Sequence, residues 1–182
     1  MRLRREDAFL LVVDVQRKLA PHVAGHERVI AKSGALISAA GKLEIPVFVS
    51  EHCPEQIGAT VPSLAALVSS REILKKTHFA CTDETGVVPR LHALKRNQVV
   101  VCGMEAHVCV MQTALGLAEL GFQPFVVCDA VGSRREEDRA TAIERLREAG
   151  CGMVTAEMAI FEWVKRADIP EFRDLLGIVK RL

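Results

Sequence analysis

Three residues in this sequence have the types that acyl transfer needs: the carboxylate Asp14, the ammonium Lys76 and the thiol Cys109. A thiol is nucleophilic only as thiolate, a neighbouring carboxylate can take its proton, and a lysine can hold both groups in their charged forms. If a helix begins near Ala106 or His107, Cys109 falls on its first turn. Unpaired backbone N–H groups there lower a thiol pKa below the free value of roughly 8.5. Each residue also has a plain structural reading. A strand-terminal aspartate caps turns, cysteine is among the most buried residue types, and Lys76 beside Lys75 reads equally as solvated surface.

The elements that must position these groups follow from periodicity. Phe9-Leu10-Leu11-Val12-Val13 is a strand buried on both faces and ends at Asp14. Val29, Ile30, Leu36, Ile37 and Ala40 form a helical stripe closed near Gly41. Pro46 to Ser50 is a second strand, a short helix lies around Ser63 to Val68, and Ile73-Leu74 begins a third strand leading into Lys75-Lys76-Thr77. Gln98 to Gly103, Pro124 to Asp129 and Met153 to Thr155 are the remaining strands. Between them lie a helix from Val108 to Leu120, apolar nearly all round, and one running to about Ala149. Ser133 with Glu136 fits a capping box for the latter. Alternation of strands and helices implies a parallel sheet covered on both faces, in which ligands bind beyond the carboxyl ends of the strands. Asp14, Lys76 and Cys109 all follow or end strands.

Composition removes several classes. The 182 residues imply one domain, residues 1–182, with enough surface to bury a core without disulfide or metal staples. With 24 Lys+Arg against 23 Asp+Glu, a formal charge of +1 gives no electrostatic footprint for nucleic acid. The apolar run Ala8 to Val13 is far too short to span a bilayer, and Glu6 and Asp7 before it are wrong for a secretory signal. Cys53, Cys81, Cys102, Cys109, Cys128 and Cys151 form no C-x-x-C pair and read as free thiols in a reducing compartment. A soluble cytoplasmic protein is expected. No G-x-G-x-x-G follows the first strand, which argues against a dinucleotide site.

Leu11-Val12-Val13-Asp14-Val15-Gln16, Lys76-Thr77-His78-Phe79 and Gly103-Met104-Glu105-Ala106-His107-Val108-Cys109-Val110 resemble the three signature regions of the isochorismatase-like cysteine hydrolases. Asp129 to Arg134 and Thr155 to Met158 resemble later landmarks of that family. The likeness runs over roughly residues 7 to 165 and is greatest to its compact hydrolases of uncharacterised substrate.

The resemblance implies a three-layer αβα, Rossmann-like fold around a six-stranded parallel sheet, and an Asp14-Lys76-Cys109 triad acting on a small amide through a thioester. Lys76 is preferred to Lys75 because the family lysine directly precedes Thr-x-Phe. It also implies a non-proline cis peptide at Met104-Glu105, aiming N–H groups of Ala106 or His107 and of Cys109 at an oxyanion. The chain departs from the family in two places. Ala80, followed by Cys81, stands where many relatives carry serine. Ser50-Glu51-His52-Cys53-Pro54 lacks the Asp-x-His of the metal-binding nicotinamidases, so neither metal nor other cofactor is expected. A small pocket lined by Phe9 or Leu19, His52, Phe79 and His107 is expected, as is a homo-oligomer. Phe161, Trp163, Phe172, Leu175, Leu176 and Ile178 offer either an interface or a helix packed on its own domain. Two alternatives remain: vinyl-ether hydrolysis, whose family members lack the cysteine, and a non-catalytic binding or assembly protein.

Overall fold

The computed structural model describes residues 1–182. Its strands are β1 (Ala8–Val13), β2 (Val47–His52), β3 (Ile73–Lys76), β4 (Gln98–Met104), β5 (Gln123–Gly132) and β6 (Gly152–Val154). Its helices are α1 (His26–Lys42), α2 (Pro54–Ile57), α3 (Pro62–Ala65), α4 (Val87–Ala93), α5 (Met111–Glu119), α6 (Glu136–Glu148), α7 (Ala156–Val164) and α8 (Phe172–Val179). All strand pairs are parallel, in the order β3-β2-β1-β4-β5-β6.

The central strand shows why the sheet is covered twice. Leu10 and Val12 of β1 join a core with residues of α1, α7 and α8, including Leu36, Trp163 and Leu175. Phe9, Leu11 and Val13 point the other way, into a core with Leu91 of α4, Leu117 of α5 and Leu146 of α6. Alternate residues therefore meet apolar partners on opposite faces, and every residue of β1 is fully buried. The result is the three-layer α/β fold. No helix is long and apolar enough to cross a membrane.

Strand order reverses between β1 and β4, so the crevice at their carboxyl ends is the switch point of the sheet. The two chains approach closely there. Gly103, at φ +125°, faces Val13, and a Cβ on it would lie 2.0 Å from the Val13 carbonyl oxygen. Only glycine fits, and Asp14 leaves β1 in the left-handed region at φ 50°.

Several expectations are corrected. The helix expected from Val108 is two segments, a π turn at Ala106–Val110 and then α5. Ser133 does not cap α6: Arg135 is the cap residue, without a side-chain bond, and Ser133 is buried against His107. A polar partner within reach in the fold outcompetes the local cap. A complete capping box forms instead at Ser69 and Glu72. In the C-terminal segment Trp163, Leu175 and Ile178 are buried in the chain's own core, with Phe172 packed against it, whereas Phe161 stays exposed.

Candidate active site

Asp14 and Lys76 start on strands separated by β2 and meet across it. The Lys76 Nζ donates to Asp14 Oδ2 at 2.7 Å, and both side chains have 0% exposure. Its other two protons go to the carbonyls of His78 (3.1 Å) and Phe79 (3.0 Å), so the ammonium has no donor left over. Burial works against the charge on Lys76, but the Asp14 carboxylate, with smaller help from Cys81 and Cys109, outweighs it and holds the group above its ordinary range. Between them, Ser50 at the carboxyl end of β2 donates its hydroxyl to Asp14 Oδ1 at 2.7 Å. Both carboxylate oxygens are thus gripped by buried donors.

Cys109 reaches this pair from the far side of the switch point. It sits on the π turn, almost fully buried, with its thiol facing both Asp14 and Lys76. Burial first, and then the Asp14 carboxylate, push the thiol well above its usual range, against a weaker downward pull from Lys76. The sequence-based expectation was the opposite direction. The field of a helix terminus is worth about 0.3–1 kcal/mol, which loses to desolvation plus an anion in contact. The carboxylate nearest this thiol is that of Asp14.

The turn that carries Cys109 is tied down on several sides. The Met104-Glu105 peptide bond is cis. The Glu105 carbonyl accepts from the amides of both Val108 and Val110 at 3.1 Å, while its carboxylate accepts from the backbone and the Nε of Arg134, each at 3.1 Å. Met104 and Ala106 point into the core. His107 shares a hydrogen bond of 2.9 Å between its Nδ1 and Ser133 Oγ, which anchors the turn to the end of β5.

An aromatic pair lies at the ends of β2 and β3. The rings of His52 and Phe79 stack with centroids 5.2 Å apart, and Phe79 is 51% exposed. Phe9 and Leu19 do not line a pocket with them: Phe9 is fully buried against Phe122, and Leu19 packs on the α1-side core. The Glu51 carboxylate is committed to the amide and hydroxyl of Thr60 at 2.7 and 2.8 Å. Cys53 caps α2 in a left-handed conformation and, with Lys76, lines a cavity of about 300 Å³.

Residues 8–158 match the family model described as Isochorismatase domain. The chain belongs to the isochorismatase-domain family. Isochorismatase domain-containing protein 2B of Mus musculus is 32% identical over 98% of this chain and 84% of its own length. Among solved structures, the MAR1 ribonuclease of Caenorhabditis elegans superposes with a TM-score of 0.91 at 35% identity, over 99% of this chain and 93% of that one. The YCAC gene product of Escherichia coli, described as an octameric hydrolase of unknown specificity, gives 0.87 at 25% identity, covering 99% and 97%. YcaC from Pseudomonas aeruginosa, solved with hexane-2,5-diol and covalent acrylamide, gives 0.91 at 26% identity, covering 97% and 91%.

Three residues of this isochorismatase-domain chain that the sequence reading did not single out for the site belong to its geometry. Ser50 is the lone hydroxyl closing the apolar run Val47-Phe48-Val49, a signal that was available. Gln16, two positions past Asp14, clamps His52 by accepting from its amide at 2.8 Å and donating to its carbonyl at 3.0 Å. Cys81, fully buried, has its amide bonded to Thr113 Oγ1 at 3.0 Å and its thiol beside Ser50. No local pattern marks Cys81, because its neighbours come from β2 and α5.

Proposed function

We propose that this chain is a cysteine-dependent hydrolase of small amides, with Cys109 as nucleophile, Asp14 as general base and acid, and Lys76 as the fixed cation of the pair. The observation that carries the reading is the fully buried Lys76–Asp14 ion pair with the buried Cys109 thiol facing it. Such a pair is a poor way to stabilise a fold, because desolvation offsets much of its attraction. It is a good way to keep a carboxylate charged in a site that excludes water.

In this mechanism Asp14 takes the Cys109 proton as the sulfur attacks the amide carbon. The C=O electrons move to oxygen, and backbone N–H groups receive that charge. With the amides of Val108 and Val110 taken by Glu105, the oxyanion donors are those of Ala106 or His107 and of Cys109. Asp14 then gives its proton to the nitrogen as the C–N bond breaks, releasing the amine and leaving a thioester. A water, deprotonated by Asp14, attacks the thioester carbon. The C–S bond breaks, the proton returns to sulfur and a carboxylic acid leaves. Lys76 shuttles nothing, since its three protons are all bonded.

His52 and Phe79 form the rim that a substrate passes. No metal or other cofactor enters this scheme. The covalent acrylamide on the Pseudomonas aeruginosa protein supports a reactive group in this fold. The octameric Escherichia coli hydrolase supports a homo-oligomer here too, with Met158 and Phe161 as exposed apolar surface. One neighbour's ribonuclease name finds no counterpart in the near-zero net charge of this chain. The test is incubation with a panel of small primary amides, acid quench and peptide mapping. The reading requires an acyl mass on the Cys109 peptide and no turnover by Cys109→Ala. An acyl mass on another cysteine, or a Cys109→Ala protein that still turns over, overturns it.

A further inference from the structure

Lys76 is buried, yet two of its three acceptors belong to a stretch of chain that no core packing holds. Residues 77–79 lie between β3 and the 3-10 turn Cys81–Asp83, in no helix or strand, and Thr77, His78 and Phe79 are all exposed. The His78 and Phe79 carbonyls nevertheless point inward, accepting from Lys76 Nζ at 3.1 and 3.0 Å. The His52 ring stacked on Phe79 steadies one end. The other end is held from outside by Glu84, the residue after the 3-10 turn. One oxygen, Oε2, accepts from the Thr77 amide at 2.8 Å and the His78 amide at 3.4 Å, with Thr77 Oγ1 at 3.4 Å and His78 Nδ1 at 3.1 Å beside them. These donors, the Thr77 amide foremost, pull the Glu84 carboxyl down to about 2. No other group in the chain accepts from either amide. Successive amides turned toward one oxygen form an anion-binding concavity. The turn therefore shows its N–H groups to an anion and its carbonyls to a cation.

We propose that Glu84 is a positioning residue for the reaction: by gathering the Thr77 and His78 amides it aims the His78 and Phe79 carbonyls at two Lys76 protons and leaves the third for Asp14. This rests on the reading of Asp14 as the base of Cys109. Each peptide unit is planar, so a held His78 amide fixes the plane entering His78, and only two soft dihedrals separate it from the His78 carbonyl. An exposed ion pair such as that of His78 with Glu84 contributes little by itself. The two amides are what Glu84 holds and a free surface charge would not. The charged groups around the turn are His78 against Glu84, Lys76 against Asp14, and Lys75 and Glu55 across the cavity that Glu84 also lines.

The test reads the pH profile of Cys109 alkylation by iodoacetamide, followed by peptide mapping, in wild type, Glu84→Ala and Glu84→Gln, with thermal melts as a folding control. Glu84→Ala releases both amides, and Lys76 then grips Asp14 less well. A carboxylate whose donor is weakened holds its proton to higher pH, so the acidic limb should move up by about 0.5–1 pH unit. Glu84→Gln keeps an oxygen for the amides and should stay close to wild type. Charge alone has the opposite sign. Deleting an anion near Asp14 favours its ionised form, so both variants would move the limb down together. The inference is overturned if folded Glu84→Ala keeps the wild-type limb or moves it down, or if Glu84→Gln shifts as far as Glu84→Ala. Should Glu84→Ala not fold, Glu84→Ser, which also lacks the carboxylate, takes its place under the same criteria. A wild-type profile that climbs with pH like a solitary thiol contradicts the underlying role of Asp14 instead, so the two failures are separable.

Discussion

Strand β4 and the turn that follows it carry two buried thiols in opposite circumstances. Cys102 lies in the middle of the sheet, among the side chains of the α1-side core, with Ser33 Oγ as its hydrogen-bond partner at 3.5 Å and the Asp129 carboxylate acting on it only through its charge. Cys109 lies just past the strand's end, nearly as dry but facing a charged pair. Burial drives both thiols up, Cys102 to about 12. The difference is that Cys109 has somewhere to send its proton. Desolvation makes a thiol inert by itself; under the proposed mechanism, a gripped carboxylate beside it gives the proton a destination when substrate binds. Depth does not separate Cys102 from the proposed nucleophile Cys109, but the chemistry of the neighbouring groups does.

The sharpest way to break this contrast is to remove the proton's destination. Asp14→Asn should lower turnover of any amide substrate by roughly 1000-fold or more, since both base and acid are lost. Removing the cation is next. Lys76→Met leaves the Asp14 charge buried without its partner and should cost about 3–5 kcal/mol in chemical denaturation, with activity lost alongside. If Lys76→Met were as stable as wild type, the pair would be solvated and the contrast with Cys102 would collapse.

The Cys102 side yields smaller effects. Cys102→Ala should leave Cys109 alkylation and turnover unchanged while destabilising the fold by about 1 kcal/mol, the usual scale for a small core deletion. Its pH signature has a definite sign. A thiol whose folded pKa is raised from about 9 to about 12 contributes stability fully present below pH 9 and lost as pH rises toward 12. Wild type should therefore lose stability across that alkaline window more steeply than Cys102→Ala, as urea melts at stepped pH would show.

Much of this arrangement was legible in the residues. The apolar run before Asp14, the strand-helix alternation and the ends of β1 and β4 follow from period and punctuation, because those signals are local. The motifs around Asp14, Lys76 and Cys109 pointed to one crevice, and the fold brings all three there. What was not legible depends on partners distant in sequence. Ser133 reads as a helix cap, yet spends its hydroxyl on His107. Cys109 reads as a thiol softened by a helix end, yet the π turn sets it in a dry site against an anion. Phe9 reads as a pocket wall, yet the strand pleat turns it into the core against Phe122. In each case a contact made by the folded chain outweighed a preference written nearby.

The central claim is that the Cys109 proton passes to Asp14, and the pH dependence of Cys109 alkylation tests it most directly. When carboxylate and thiol share one proton, reactivity is a property of the pair. The rate in wild type should then be flat through neutral pH and fall only on the acid side. In Asp14→Asn it should climb steadily with pH, as for a lone thiol. Superimposable profiles for the two proteins would contradict the account.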